Sequence, residues 1–189
     1  MALTYSVLEE LGKPAPAFSL RGIAPDGEVK TYDLTSFREA KALVVMFMCN
    51  HCPYVIAVQE RINQLAKEYA SRGVALVGIN PNDSVKYPAD NFDAMKVRSR
   101  EQGFAFPYLH DETQAVARAY GAVCTPDPYV YEQVGGEFKL RYHGRIDDNW
   151  KEPAQVQQRE LATALDAILA GRVPNSDQKP AMGCSIKWK

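Results

Sequence analysis

The chain has 189 residues, which suits one domain with a full hydrophobic core. Its composition, 46% hydrophobic and 24% charged, is that of an ordinary globular protein, and a formal net charge of -1 gives no electrostatic basis for binding nucleic acid or an anionic membrane. The first ten residues lack the basic and apolar segments of a secretory signal, and no apolar run is long enough to span a bilayer. We therefore predict a cytoplasmic protein, and in that reducing compartment four cysteines favour catalytic use over a disulfide framework.

Apolar periodicity and the positions of Gly, Pro and N-capping residues predict alternating strands and helices along the chain. The predicted strands are a hairpin formed by residues 12–20 and 29–34, then 43–48, 74–80 and 106–109, and a second hairpin formed by 129–131 and 138–142. The predicted helices are a short turn capped by Thr35 or Ser36, then 53–71, 89–102, 112–120 and 155–170. The strands on either side of the 53–71 helix form a crossover unit, so the central sheet is predicted to be at least partly parallel.

Two cysteines separated by two residues lie where the 43–48 strand ends and the next helix begins. A helix N-terminus has unpaired N–H groups and a positive dipole end, so we predict that Cys49 lies there and is the more easily ionised thiol. The spacing lets Cys52 close a disulfide with Cys49. Protonated His51 would stabilise the Cys49 thiolate, and with it the reduced form, which makes the couple more oxidising.

Two other uses of this cysteine pair stay open. Cysteines at this spacing also bind zinc, but a tetrahedral site needs two more ligands, and the chain offers only Cys124, Cys184 and three scattered histidines. The pair could also be structural, since free cysteine is among the most buried residue types. The strand–turn–helix context favours redox chemistry over both, so we predict no metal and no cofactor. We expect His110 and His143 to be surface or strand-end residues.

The order of strand, Cys-x-x-Cys, helix, strand, helix, hairpin and helix, with Thr125-Pro126 before the second hairpin, resembles the thioredoxin superfamily over nearly the whole chain. The N-terminal hairpin with Pro16-x-Phe18-x-Leu20 and the insertion after Asn80 resemble its peroxiredoxin-like branch, which includes the alkyl hydroperoxide reductase/thiol-specific antioxidant-like domains. Three segments resemble a bacterial subgroup of probable thiol-disulfide isomerases, namely residues 49–55, 124–127 and 183–188.

This resemblance implies an α/β fold, a thioredoxin-like three-layer sandwich with a mixed central sheet flanked by helices and an N-terminal hairpin extension. It also implies that Pro126 is cis and packs beside the reactive sulfur, leaving the backbone of Thr125 free to pair with an extended substrate. The implied domain organisation is a single thioredoxin-like domain over residues 1–189, with the extension at 1–36 and a C-terminal tail at 172–189 packed on the domain.

Two positions depart from the related families. A peroxiredoxin site has the pattern Pro-x-x-x-Thr-x-x-Cys, and if Cys52 takes the peroxidatic place, Val45 replaces the Pro and Cys49 replaces the Thr. Thioredoxins carry a buried Asp six residues before the first cysteine, where this chain has Leu43. Proton transfer must therefore run through another group, such as His51 or water.

We predict a thiol-disulfide oxidoreductase, a reductase or isomerase, in which the Cys49 thiolate attacks a substrate disulfide and Cys52 resolves the mixed disulfide. A peroxiredoxin-like thiol peroxidase with an antioxidant role is the first alternative, and a non-enzymatic thiol- or metal-binding module is the second. The predicted partners are protein or small-molecule disulfides and an electron donor, with no nucleic acid and no membrane.

The other two cysteines are predicted to influence this chemistry to different degrees. Cys124 precedes Pro126 by two residues, so it would lie near the reactive pair and modulate it. Cys184 lies in a tail whose Ile186 and Trp188 supply apolar surface for docking. We expect Cys184 to be mainly structural, with service as an extra resolving thiol as the alternative.

Overall fold

The computed structural model describes residues 3–189, which form alternating strands and helices. The strands are β1 (Leu3–Tyr5), β2 (Ser19–Ile23), β3 (Val29–Asp33), β4 (Ala42–Phe47), β5 (Val74–Asn80), β6 (Tyr108–His110), β7 (Cys124–Thr125), β8 (Asp127–Val134), β9 (Glu137–His143) and β10 (Met182–Ser185). The α-helices are α1 (Pro53–Ala70), α2 (Phe92–Glu101), α3 (Ala115–Tyr120) and α4 (Glu160–Leu169). Short 3-10 helices are found at Leu34–Phe37, Pro88–Asp90 and Pro153–Gln155.

Seven strands form a mixed sheet in the order β3-β2-β6-β5-β4-β8-β9. The three strands β4, β5 and β6 run parallel, and the two hairpins pair antiparallel at the two edges. The prediction of a partly parallel sheet carrying an N-terminal hairpin is therefore confirmed. Strand β4 lies next to the centre, with β5 on one side and β8 on the other.

Strand β4 is apolar throughout because both faces of the sheet are covered. Since side chains alternate along a strand, Val44 and Met46 pack on the face that carries α1 and α4, whereas Val45 and Phe47 pack on the face that carries α3. The result is a three-layer arrangement with one apolar core on each side of the sheet. The predicted three-layer sandwich is thus confirmed. Strand β4 of its central sheet leads directly to the two cysteines.

A second sheet joins strands from the beginning, the middle and the end of the chain, in the order β1-β10-β7. Strand β10 lies between β1 and β7 and pairs antiparallel with both. Beyond it, Ile186 is buried in the core on the α3 side, and Trp188 lies against the Arg118 guanidinium at 4.3 Å. The first two residues of the predicted N-terminal extension lie outside the described residues.

Several predicted helix boundaries are wrong, each for a local reason. Helix α3 begins at Ala115 rather than 112, because the Asp111 carboxylate accepts the Ala117 N–H and Gln114 adopts a left-handed φ of 65°. The Leu34–Phe37 turn is capped by Asp33 rather than by Thr35 or Ser36.

The predicted helix at 155–170 is likewise too long, because Pro153–Gln155 forms a separate turn before α4. The neighbouring loop is held to α1 by an ion pair, since Arg61 donates to the buried Asp147 carboxylate at 2.5 Å. None of the helices in the described part of the chain combines the length and the apolar character that crossing a membrane requires.

Candidate active site

The two cysteines of the Cys-x-x-Cys segment lie in the turn between β4 and α1. Helix α1 begins at Pro53, whose fixed φ and missing N–H suit the first helical position, and Cys52 is therefore its N-cap residue. This corrects the prediction that Cys49 lies at the helix N-terminus, since Cys49 precedes Pro53 by four residues. Both side chains are buried, with 2% of Cys49 and none of Cys52 exposed.

Thr125 contacts both sulfur atoms from the other side of the site. Its Oγ1 lies 3.4 Å from Cys49 Sγ, and its carbonyl oxygen lies 3.2 Å from Cys52 Sγ. The peptide bond between Thr125 and Pro126 is cis, as the resemblance implies. The structure therefore brings together Cys49, Cys52, Thr125 and Pro126 from two distant segments of the chain.

Of the two thiols, Cys52 is the one whose surroundings lower its pKa. Hydrogen bonding from the Cys49 thiol, aided by Cys184 and the Val55 N–H, lowers the pKa of Cys52 to about 5 even though burial opposes this. When Cys52 is protonated, its S–H donates to the Thr125 carbonyl oxygen, which opposes ionisation. The hydrogen bonds that the thiolate accepts from several donors outweigh this single contact.

Cys49 has the opposite behaviour. Its hydrogen bond to Cys52, followed by burial and the nearby Asp90 carboxylate, raises the pKa of Cys49 well above its ordinary value. The reduced site therefore holds one thiolate and one thiol that share a hydrogen bond. The sequence analysis predicts the thiolate on Cys49, because it places Cys49 at the positive end of the helix dipole, whereas Cys52 is the N-cap residue.

Asp90 is the site residue that the sequence analysis missed. It is fully buried, and its Oδ1 accepts the Asn50 N–H at 2.7 Å. Its Oδ2 lies 2.5 Å from His51 Nδ1 and accepts from Asn82 Nδ2 at 2.8 Å. Asp90 ends a 3-10 turn in the insertion after β5, where a single Asp in a polar loop gives no periodic signal in the sequence.

Asp90 and His51 form a hydrogen-bonded pair close to Cys49. The Cys49 sulfur, a His51 ring nitrogen and an Asp90 oxygen all lie within 4.8 Å of one another. The His51 ring also stacks on Tyr87, with centroids 5.4 Å apart, which holds it in this orientation. Leu43 itself packs in the opposite core.

The group of Cys49, His51 and Asp90 also has the chemical character of a metal site. Thiolate, imidazole and carboxylate are all zinc ligands, and three protein ligands with an open position are typical of catalytic zinc. However, His51 Nδ1 and Asp90 Oδ2 already hydrogen-bond to each other, and these are two of the atoms that would have to bind the metal ion.

Cys124, Cys184 and His143 are also buried. Cys124 belongs to β7, and burial raises its pKa. Cys184 in β10 pairs with Thr125, and burial followed by its hydrogen bond to Cys52 raises its pKa to about 12. His143 ends β9, as the strand-end prediction requires, but it is buried rather than exposed and its Nε2 lies 3.0 Å from Asp127 Oδ1.

A cavity of about 220 Å³ lies beside Pro126 and α1. Its walls are mostly apolar and include Val58, Ile146, Trp150 and Met182. Pro126, which follows the residue that contacts both sulfurs, is the site residue that lines this cavity.

Comparisons with known proteins point to one family. Residues 11–149 match the AhpC/TSA family. The thiol:disulfide interchange protein DsbE of Yersinia pestis is 26% identical over 143 residues, which cover 75% of this chain and 69% of that protein. Peroxiredoxin Bcp of Xanthomonas campestris is 30% identical over 119 residues, or 61% of this chain and 66% of that protein. The crystal structure of an uncharacterized conserved protein from Geobacillus kaustophilus is similar with a TM-score of 0.90 and 44% identity, covering 100% of this chain and 97% of that one.

The lowered pKa of Cys52 predicts a pH-dependent thiolate. The reduced protein should show one thiolate by ultraviolet absorbance at neutral pH and lose it as the pH falls through about 5. Because this pKa is lower in the folded than in the unfolded protein, folding stability should rise between pH about 5 and the ordinary cysteine value of 9.0. Both effects should vanish in Cys52→Ser and persist in Cys124→Ser, and a thiolate that survives in Cys52→Ser would contradict the assignment.

Replacing Asp90 tests its effect on Cys49. Asp90→Asn removes a negative charge that raises the pKa of Cys49, so the second thiol ionisation of the reduced protein should move to lower pH. Asp93→Asn, an exposed change of the same type in the first turn of α2, is the matched control. If the thiol ionisation curves of Asp90→Asn and Asp93→Asn are the same, Asp90 does not affect the ionisation of the cysteine pair.

Proposed function

The chain belongs to the AhpC/TSA family, and we propose that it is a thiol-disulfide oxidoreductase that alternates between a Cys49–Cys52 dithiol and the corresponding disulfide. The observation that carries this proposal is the pair of buried sulfurs held against Thr125, with Cys49 Sγ 3.4 Å from its Oγ1 and Cys52 Sγ 3.2 Å from its carbonyl oxygen. The similarity to proteins named for thiol:disulfide interchange and for peroxiredoxin activity supports redox chemistry at cysteine.

The first step is attack by the Cys52 thiolate on a substrate disulfide. A bond forms between Cys52 Sγ and one substrate sulfur, and the electron pair of the broken bond leaves on the other sulfur, which takes a proton from solvent. Cys52 is suited to this role because its lowered pKa keeps it ionised at neutral pH. The products are a mixed disulfide and one substrate thiol.

The second step is resolution by Cys49. Cys49 transfers its proton to the His51–Asp90 pair and attacks Cys52, which releases the second substrate thiolate. The substrate disulfide has then gained two electrons, and the cysteine pair has become a disulfide. A dithiol donor returns the pair to the reduced form, and the reverse sequence oxidises a substrate dithiol.

The substrates are disulfides of proteins or small molecules, and the apolar cavity beside Pro126 suits a substrate with an apolar side chain near its cysteine. We propose one domain over residues 1–189, in which the tail completes the site through β10.

Trapping the mixed disulfide tests the order of the two cysteines. In a Cys184→Ser background, which removes a competing thiol beside Cys52, Cys49→Ser should accumulate a mixed disulfide with oxidised glutathione through Cys52. Cys52→Ser in the same background should not, and mass spectrometry distinguishes the two. Trapping through Cys49 in Cys52→Ser alone would reverse the roles. The absence of a mixed disulfide in both variants would contradict the proposed function.

A thiol peroxidase is the second candidate, because Cys52 lies at the helix N-terminus as a stabilised thiolate. Val45 and Cys49 stand at the Pro and Thr positions of the peroxiredoxin pattern, so the groups that would activate peroxide are replaced. We therefore expect stopped-flow oxidation of Cys52 by hydrogen peroxide to be no faster than that of an ordinary thiol of equal pKa. A rate orders of magnitude higher would assign the peroxidase function instead.

A further inference from the structure

The tail strand β10 covers the reactive pair and carries a cysteine to it. In the β10–β7 register, Cys184 pairs with Thr125, the residue that contacts both Cys49 and Cys52. The Cys184 side chain lies in the same core cluster as those two cysteines and is hydrogen-bonded to Cys52. Cys184 thus lies within hydrogen-bonding range of Cys52.

This close approach depends on the sequence of the tail. A Cβ atom at Gly183 would lie 1.9 Å from the Thr125 carbonyl oxygen, so only glycine lets β10 approach β7 this closely. Gln114, in its left-handed conformation, donates to the Lys187 carbonyl at 2.8 Å and accepts from the Lys189 N–H at 2.9 Å. A strained residue that anchors the tail indicates that the docking of β10 is specific.

We propose that Cys184 is a third redox thiol that exchanges with the Cys49–Cys52 disulfide, so that the tail strand acts as an internal substrate of the site. This inference rests on the proposed thiol-disulfide function. In the exchange, Cys184 Sγ attacks Cys52 Sγ, a Cys52–Cys184 bond forms, and the Cys49–Cys52 bond breaks. The electron pair leaves on Cys49, which takes up the proton lost by Cys184. The step involves no net oxidation, and an external dithiol then reduces the new disulfide.

The environment of the thiols favours this proton exchange. Burial is the main cause of the raised pKa of Cys184, and its contact with the Cys52 charge adds to it. Once Cys52 is in a disulfide, that charge is gone, so Cys184 ionises more easily. The released Cys49 loses its hydrogen bond to the Cys52 charge as well, but burial and the nearby Asp90 carboxylate still raise its pKa, so it takes up the proton.

A hydrogen-bond path also joins the tail to the proton acceptor of Cys49. The Lys187 N–H donates to Asn82 Oδ1 at 2.9 Å, and Asn82 Nδ2 donates to Asp90 Oδ2 at 2.8 Å. Movement of the tail therefore changes the hydrogen bonding of the carboxylate that faces Cys49. Because no part of Cys52 is exposed, an external disulfide reaches Cys52 only after the residues that cover it move.

Restoring Cys184 to the trapping variant tests the proposal. Cys49→Ser/Cys184→Ser loaded with glutathione should keep its mixed disulfide, whereas Cys49→Ser, with Cys184 present, should release glutathione roughly tenfold faster or more, since a tethered thiol acts at an effective concentration near the mM range. The product should be a Cys52–Cys184 disulfide, identified by mass spectrometry of the digested protein. Cys49→Ser/Cys124→Ser is the matched control and should release glutathione as fast as Cys49→Ser.

The outcomes separate this inference from the proposed function. Equal retention of glutathione with and without Cys184 would overturn the role of Cys184 while leaving the Cys52 mixed disulfide, and hence the proposed function, intact. Failure to load glutathione at all would count against the proposed function itself. In the unsubstituted protein, partial oxidation with oxidised glutathione should yield Cys52–Cys184 peptides beside Cys49–Cys52 peptides. Their absence, or equal amounts of a Cys52–Cys124 product, would overturn the inference without depending on the folding of any variant.

Discussion

A single negative charge held on a buried sulfur is the constraint on which the rest of the site depends. A buried thiolate is costly unless nearby donors compensate it. Here the compensation comes from the start of α1, from the Cys49 S–H and from Cys184 in β10. This requirement explains why one strand end, one helix N-terminus and the end of the chain meet at the same point. It also explains why the tail belongs to the site.

A second buried negative charge lies close by and needs its own compensation. Asp90 is fully enclosed, and the Asn50 N–H, the Asn82 amide and the His51 ring surround its carboxylate. Like charges close together repel, so a Cys49 thiolate near this carboxylate is unfavourable. The hydrogen bond to Cys52, burial and the Asp90 carboxylate, in that order, raise the pKa of Cys49. Proton transfer from Cys49 to the His51–Asp90 pair is thus coupled to the loss of charge at Cys52 when the mixed disulfide forms.

The thioredoxin-like fold of the AhpC/TSA family supports both disulfide exchange and peroxide reduction, so the fold alone does not decide between them. The residues around the sulfurs do. Cys49 stands where a peroxiredoxin site has Thr, which puts a second thiol within hydrogen-bonding range of the reactive sulfur. A neighbouring thiol closes a disulfide as soon as a mixed disulfide forms, which favours exchange chemistry.

The sequence by itself determined the order of the elements, the parallel pairing around α1, the two hairpins and the reactive cysteine pair. These features depend on local periodicity and on Gly and Pro positions, which act within a few residues of each other. The start of α1 at Pro53 is also local and was predicted correctly, but the ionisation of the two cysteines depends on distant residues such as Asp90 and Cys184. Only the tertiary structure decided that Asp90 faces Cys49 and that Cys184 faces Cys52. Both contacts join segments far apart in the chain, because Asp90 follows β5 of the seven-stranded sheet and Cys184 lies in β10 of the second sheet, and no local pattern in the sequence encodes their meeting.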